Sequence, residues 1–170
     1  MTIIDISMLL FFSAAMAFAA SSDLVSMTIP NRLSAALLAG FLLFAAAQGL
    51  NWTTIGWHLA AGGVMLLCTF AMFAAGWIGG GDAKLAAATA VWCGFPTLVE
   101  YSMAASILGG FLTLGLLAVR GVSLPQFALG WGWAVRLHDK KTGIPYGIAL
   151  AMAGLIVFPD TAIWQSAFAA

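Results

Sequence analysis

Long apolar runs constrain this chain more than any other feature. Four of them reach the length of a membrane-spanning helix, roughly 20 residues: about residues 3–20, 33–50, 55–76 and 101–119. A fifth run, about residues 145–164, is nearly as clear. Charged residues make up only 7% of the 170 residues, and the mean hydropathy is +1.05. This leaves too little polar surface for a soluble globule, so the sequence predicts an all-α integral membrane protein.

The segment between Lys84 and Glu100 decides the number of spans. Its apolar stretch, residues 85–99, is interrupted by Gly94 and Pro96. Such a stretch is short for a span, and it could be either a short helix or a re-entrant segment. We interpret it as a short sixth helix.

The positive charges support six spans. With six, every Lys and Arg falls in the first, third or fifth connection, and hence on one face of the membrane: Arg32, Lys84, Arg120, Arg136, Lys140 and Lys141. Positive residues concentrate in cytoplasmic loops. This face is therefore predicted to be cytoplasmic, with both termini outside. With five spans, the four charges of the last connection would lie on the opposite side.

The chain is predicted to form one membrane domain over residues 1–170, without a repeat of useful length. Its longest polar interval, about residues 120–144, is predicted to run along the membrane interface as a connector. Ala17-Phe18-Ala19 resembles the site at which a secretory signal is cut. The preceding segment has no Lys or Arg and contains Asp5, so we interpret the first run as a span.

Composition also excludes several kinds of ligand. The six Lys and Arg residues are scattered and the net charge is zero, so the chain has no basic patch for a nucleic acid. Cys68 and Cys93 lie within apolar runs and form no CxxC motif, and His58 and His138 have no partner at ligand spacing. We therefore expect neither a metal nor another cofactor.

Two aspartates at the cytoplasmic ends of predicted spans, Asp23 and Asp82, are the most informative charges. An ionisable residue at the edge of hydrocarbon is costly enough that a function is its default interpretation. Asp82 follows Gly79-Gly80-Gly81, which lets the backbone bend and another segment approach closely. It is expected in the first turn of a helix, where the helix dipole favours a carboxylate. Taken singly, Asp82 is equally well a helix cap and Asp23 a solvated loop charge.

Together with a third motif, these residues resemble the type IV prepilin peptidases, which are intramembrane aspartic proteases with a GxGD motif. Gly79-Gly80-Gly81-Asp82 matches that motif, with Lys84 two positions further on. Asp23 with Ile29-Pro30-Asn31 matches the first aspartate and the turn after it. Ile144-Pro145-Tyr146-Gly147 is similar to the segment that opens the last helix. The branch most resembled is the short, peptidase-only one of tight-adherence (Flp-type) pilus systems.

The resemblance implies a GxGD aspartic protease fold of about six spans, in the bacterial inner membrane, with its active site on the cytoplasmic side. The implied substrate is a prepilin, with a short basic leader followed by a hydrophobic helix, cut just after a glycine. The implied catalytic residues are Asp23 and Asp82. The other motif residues are expected near the substrate: Gly79, Gly80, Gly81, Lys84, Ile29, Pro30, Asn31, Pro145, Tyr146 and Gly147.

A mechanism without a cofactor follows from the pair. Two carboxyl groups a few ångströms apart share a proton and titrate as a unit. One can then act as general base on a water molecule while the other polarises the scissile carbonyl.

The chain departs from the family pattern in two places. Members of this branch often carry basic residues between the first aspartate and the IPN motif, where this chain has Ser26 and Thr28. Larger relatives that also N-methylate their product carry an added cytoplasmic segment with paired CxxC motifs. That segment is absent here, so methyltransferase activity is not expected.

Two alternatives are weighed against this interpretation. Proteases of the presenilin or signal-peptide-peptidase type place a tyrosine beside the first aspartate, and residues 21–25 contain none. A non-catalytic assembly subunit or small transporter of a secretion or pilus system would use the acids as a cap and a loop charge. Glu100 and Asp160 are predicted on the opposite face of the membrane, and Asp5 is predicted to be an exposed terminal charge.

Overall fold

A computed structural model describes residues 2–168, so residue 1 and residues 169–170 of the predicted domain lie outside the described range. Within that range the chain forms helices without strands, as predicted. The helices are α1 (Ile3–Ser26), α2 (Asn31–Ala47), α3 (Trp52–Ala74), α4 (Gly80–Cys93), α5 (Leu98–Arg120), α6 (Gly132–His138), α7 (Tyr146–Val157) and α8 (Ala162–Phe168). Short 3₁₀ turns cover Gln126–Gly130 and Phe158–Asp160.

Three of the described helices, α1, α3 and α5, are long and apolar enough to cross a membrane. Shorter apolar helices cover Asn31–Ala47 and Tyr146–Asp160. These lengths and compositions fit the predicted integral membrane protein.

The first helix continues beyond its predicted end near residue 20, to Ser26. The hydroxyls of Ser21 and Ser26 donate to carbonyls one turn back, Ala17 O at 2.8 Å and Ser22 O at 2.7 Å. Serines whose hydroxyls bond within the helix are compatible with its continuation. As a result Asp23 lies inside α1 rather than in the loop after it.

The segment interpreted as a short helix forms the centre of the fold as α4. It contacts α2, α3 and α7, and its residues from 85 to 93 are buried throughout. The helix ends at Gly94, whose φ of +67° is readily adopted only by glycine. Pro96 lies in the turn that follows, and α5 begins at Leu98.

An aromatic cluster around Trp92 joins α4 to its neighbours at the end remote from Asp82. The Trp92 ring lies 5.2 Å from that of Phe12, 6.0 Å from Phe41 and 6.2 Å from Phe158, centroid to centroid. Its Nε1–H donates to Leu37 O at 3.0 Å. Trp92 lies about 15 Å along the helix axis from Asp82, at 1.5 Å per residue. The cluster therefore fixes α4 at one end and leaves the Asp82 end free to form a cavity.

The prediction that Asp5 is an exposed charge is wrong, because this side chain is only 1% exposed. Its carboxylate accepts the Thr2 N–H at 2.6 Å and the Thr2 hydroxyl at 2.8 Å. Gln48 Nε2 also donates to it. The carboxylate thus closes the start of α1 and binds the end of α2, a long-range contact that the local sequence did not indicate.

Two adjacent glycines of α3 give a matched test of the α3–α4 contact. A Cβ at Gly62 would lie 2.4 Å from Val91 Cγ2 and 3.1 Å from Ala87 O, whereas one at Gly63 would meet nothing within 4 Å. We expect Gly62→Ala to destabilise the protein by about 1–3 kcal/mol because the helices must separate. Gly63→Ala is expected to be neutral or to stabilise by up to about 1 kcal/mol. Thermal midpoints in one detergent measure the difference, and equal midpoints would contradict the close contact.

Candidate active site

Asp23 lies in the last turn of α1, and its side chain is 5% exposed. The helix is capped by Met27, which has a φ of +54° and donates its N–H to Asp23 O at 2.8 Å. The Ser22 hydroxyl donates to Thr28 O at 2.8 Å, and the hydroxyls of Ser26 and Thr28 lie 2.7 Å apart. Hydroxyl residues thus hold the turn after the aspartate.

Asp82 is half-buried in the first turn of α4. Its Oδ2 accepts the Gly79 N–H at 3.2 Å, so the capping contact considered from the sequence is present. A Cβ at Gly81 would lie 3.2 Å from Ile29 Cβ. The glycine at this position therefore lets the start of α4 approach the turn between α1 and α2.

Gly147, in the first turn of α7, brings a backbone donor to the two acids. Its N–H donates to Asp23 Oδ2 at 2.7 Å and also lies near the Asp82 carboxyl group. The two carboxyl groups are close enough for their charges to interact. A Cβ at Gly147 would lie 2.8 Å from Asp23 Oδ2 and 2.7 Å from Ile29 Cδ1. A side chain here would therefore displace the carboxylate or the isoleucine.

Ile29 joins the three sequence motifs in space. Its side chain is buried between Gly81 of the GxGD motif and Gly147 of the last motif. Pro30 and Pro145 precede the first residues of α2 and α7 and set where those helices begin. Segments far apart in the chain thus form one cluster at one end of the bundle.

Both aspartates line one cavity of about 550 Å³, together with Gly79 and Tyr146 from the predicted motifs. Known ligand pockets have volumes of about 300–1,000 Å³, so this cavity has room for part of a peptide. Ile144 of the third motif also lines it. Several further lining residues were not singled out in the sequence: Met27, Gly76, Trp77, Ile78, Thr142 and Gly143.

Arg120 was assigned only to the positive face, but its side chain is buried at the end of α5 and lines this cavity. Its Nε donates to Leu137 O at 2.7 Å and its Nη2 to Gly143 O at 2.9 Å. Arg136, in α6, donates to Val25 O at 2.7 Å. The connector predicted along the interface is thus tied to α5 and α1. The sequence signal for Arg120 was its place directly at the end of an apolar run.

Eight of the predicted motif residues do not line the cavity, among them Lys84, Asn31 and Gly80. Lys84 Nζ donates to Asn31 Oδ1 at 2.8 Å on the exposed surface, so these two residues join the GxGD helix to the IPN turn. A Cβ at Gly80 would lie 3.4 Å from the Phe73 ring, which places Gly80 against the end of α3.

The chemistry that the cavity offers is that of two neighbouring carboxyl groups, which can exchange protons with a bound molecule.

The sequence of this chain is similar to known proteins. A model of the type IV leader peptidase family matches residues 10–114, a range that includes Asp23 and Asp82. A prepilin leader peptidase/N-methyltransferase of Aeromonas hydrophila is 31% identical over 141 residues, which is 79% of this chain and 42% of that protein. The chain therefore spans less than half the length of this curated relative. No solved structure matches it.

Proposed function

This chain belongs to the type IV leader peptidase family, as its motifs predict, and we propose that it is an aspartic endopeptidase that removes the leader of type IV or Flp-type prepilins. One observation carries the proposal: Asp23 and Asp82 line a single cavity, with the Gly147 N–H directed at the first and near the second. A cap and a solvated loop charge, as in a non-catalytic subunit, would have no reason to share a cavity.

In the proposed mechanism the aspartates act as one unit with a single proton. The ionised carboxylate removes a proton from water, whose oxygen attacks the scissile carbonyl carbon, while the protonated carboxyl group donates to the carbonyl oxygen. Collapse of the tetrahedral intermediate breaks the C–N bond and re-forms a C=O bond. The first carboxyl group gives its proton to the leaving amine, and the second carboxylate takes a proton back from a hydroxyl of the intermediate. The pair is then restored without a cofactor.

We further propose six spans, α1 to α5 and α7, with the cavity at the cytoplasmic face of the bacterial inner membrane and GxGD protease topology. The positive residues then lie on the cytoplasmic side, as the positive-inside rule expects. Both aspartates lie on the same side. Reporter fusions after residues 28 and 79 test this arrangement. Fusions that place the two sites in opposite compartments would rule out the dyad.

The proposed activity is proteolysis without N-methylation. The chain has two cysteines, Cys68 and Cys93, and they form no CxxC pair, whereas the family's methylating members carry paired CxxC motifs. Mass spectrometry of the mature pilin tests this proposal. A leader-free but unmethylated N-terminus is expected when this chain is the only peptidase present.

Co-expression with a candidate prepilin tests the function itself. Wild-type protein is expected to convert the precursor to a shorter form, and sequencing should place the cut after a glycine at the start of the hydrophobic helix. If the protein accumulates in the membrane but cuts none of the prepilins encoded beside it, the non-catalytic subunit would be favoured.

Lys84 is the cation nearest to Asp82 in sequence, and replacing it tests whether leader removal depends on its charge. Because its ammonium bonds Asn31 on the surface and lies outside the cavity, we expect Lys84→Gln to retain processing within about threefold. Exposed interactions of this kind contribute about 1 kcal/mol or less. The initial rate of leader removal measures the effect, and a loss as large as that of an aspartate variant would contradict this assignment.

A further inference from the structure

An apolar groove runs between α3 and α5. α3 packs on α4, and α5 packs on α7, whereas α3 and α5 make at most marginal contact with each other. The gap between them contains two adjoining cavities of about 470 and 250 Å³. Both cavities are lined by Met65, Cys68, Ser102 and Ser106, so they adjoin and together form the α3–α5 groove.

The groove adjoins the cavity that holds the acidic pair. Its inner part is lined by Asp82 and Tyr146, and both residues also line that cavity. Its outer part reaches Leu98, at the start of α5. The groove thus follows the length of α4, about 20 Å for a helix of 14 residues, from the outer end of the bundle to a carboxyl group.

The groove surface suits a helix. Small side chains such as Ser102, Ala105 and Ser106 line the α5 side, and small residues allow helices to approach closely in lipid. The Ser102 and Ser106 hydroxyls donate to Leu98 O and Ser102 O, at 2.8 and 2.7 Å. Because these polar groups are already satisfied within α5, the groove presents an apolar surface.

We propose that this groove receives the hydrophobic helix of the substrate and delivers the peptide bond at the helix end to Asp82. The inference rests on the proposed function and deepens it. A prepilin has a polar leader joined to an apolar helix, and the protein offers a cavity with Asp23, Asp82 and Arg120 joined to an apolar groove. A lipid chain could fill the groove, but it would not account for the position of the groove beside the acidic pair.

A second groove of about 450 Å³, between α2 and α3, supplies the internal comparison. It is lined by Leu38, Leu59 and Lys84 but by neither aspartate. A helix lying in it would not reach the acidic pair through a shared wall. The two grooves therefore make opposite predictions for where a bound substrate can be cross-linked.

Cross-linking through a native cysteine tests the proposal. Cys68 is exposed in the α3–α5 groove, whereas Cys93 is buried. A prepilin with single cysteines stepped along its hydrophobic helix is co-expressed with Asp82→Asn, which leaves the substrate uncut, and the membranes are oxidised. We expect a disulfide-linked product that disappears with Cys68→Ala. In that background Leu38→Cys, in the comparison groove, is expected to yield none.

Narrowing the groove gives a second readout. Ser106→Trp is expected to slow leader removal at least about tenfold, because misplacing a substrate by about 1 Å can cost more than that. Leu114→Trp, on an exposed part of α5 outside the groove, is expected to keep the wild-type rate. Membrane accumulation of both variants is measured alongside.

The outcomes distinguish failure of the groove proposal from failure of the proposed peptidase function. Cross-linking at Leu38→Cys and not at Cys68, or at neither position, while the wild type still cuts the prepilin, would overturn the groove and leave the peptidase in place. A wild type that cuts no prepilin would overturn the proposed function instead.

Discussion

Asparagine at position 23 or 82 is expected to abolish leader removal while the protein still accumulates in the membrane. Positioned general acid–base groups contribute about 10²–10⁴-fold each, and residues that act as a unit lose most of their effect when either is removed. Each single variant is therefore expected to be as inactive as the double variant. The fraction of precursor converted in co-expressing cells, followed over time, measures this loss.

Asparagine is the informative substitution because it leaves the hydrogen bonds in place. Its amide oxygen can still accept the Gly147 N–H at position 23 and the Gly79 N–H at position 82, so both helix ends retain their contacts. The negative charge and the ability to exchange a proton are lost. A purely capping role for Asp82 would therefore survive Asp82→Asn, whereas the proposed catalytic role would not.

Asp139 provides a matched acidic control. It is exposed in the connector on the same predicted face of the membrane, where its Oδ1 accepts the Lys141 N–H at 2.9 Å. Asp139→Asn is expected to process prepilin at the wild-type rate. Substantial processing by the double variant Asp23→Asn, Asp82→Asn would rule out the aspartic mechanism.

Much of this arrangement could be predicted from the sequence because its signals are local. Runs of apolar residues report helices that face lipid, and α1, α3 and α5 coincide with three such runs. The GxGD segment carries glycines, which widen the range of backbone conformations, and the IPN segment carries a proline, which narrows it. The pairing of Asp23 with Asp82, however, was suggested by their common side of the membrane and by the family resemblance, and not by periodicity.

The parts that the sequence did not indicate depend on tertiary contacts. An apolar helix looks alike in sequence whether it faces lipid or other helices, so nothing marked α4 as the central helix. Asp5 and Arg120 are charges whose burial depends on groups far along the chain, Gln48 for the first and Leu137 and Gly143 for the second. The α3–α5 groove likewise results from two helices that hardly touch.

Only glycine fits at position 147, and Gly147→Ala is expected to lower the rate of leader removal at least about 100-fold, since displacements near 1 Å can have that effect. The added Cβ would lie 2.8 Å from Asp23 Oδ2. Either the carboxylate leaves the position beside Asp82, or the start of α7 moves away and withdraws its N–H. Gly110→Ala, in α5, is the matched control, because a Cβ there meets nothing within 4 Å and Gly110 does not line the cavity, and it is expected to keep the wild-type rate.

The added methyl group of Gly147→Ala could act through a second contact, because the same Cβ would also lie 2.7 Å from Ile29 Cδ1. Ile29→Val removes that methyl group and relieves this contact alone. If displacement of Asp23 is what stops the reaction, the double variant Ile29→Val, Gly147→Ala will remain inactive although it regains part of the stability that Gly147→Ala loses. Recovery of leader removal in the double variant would instead show that Gly147 matters through Ile29, and that the Asp23 carboxylate tolerates a methyl group beside it.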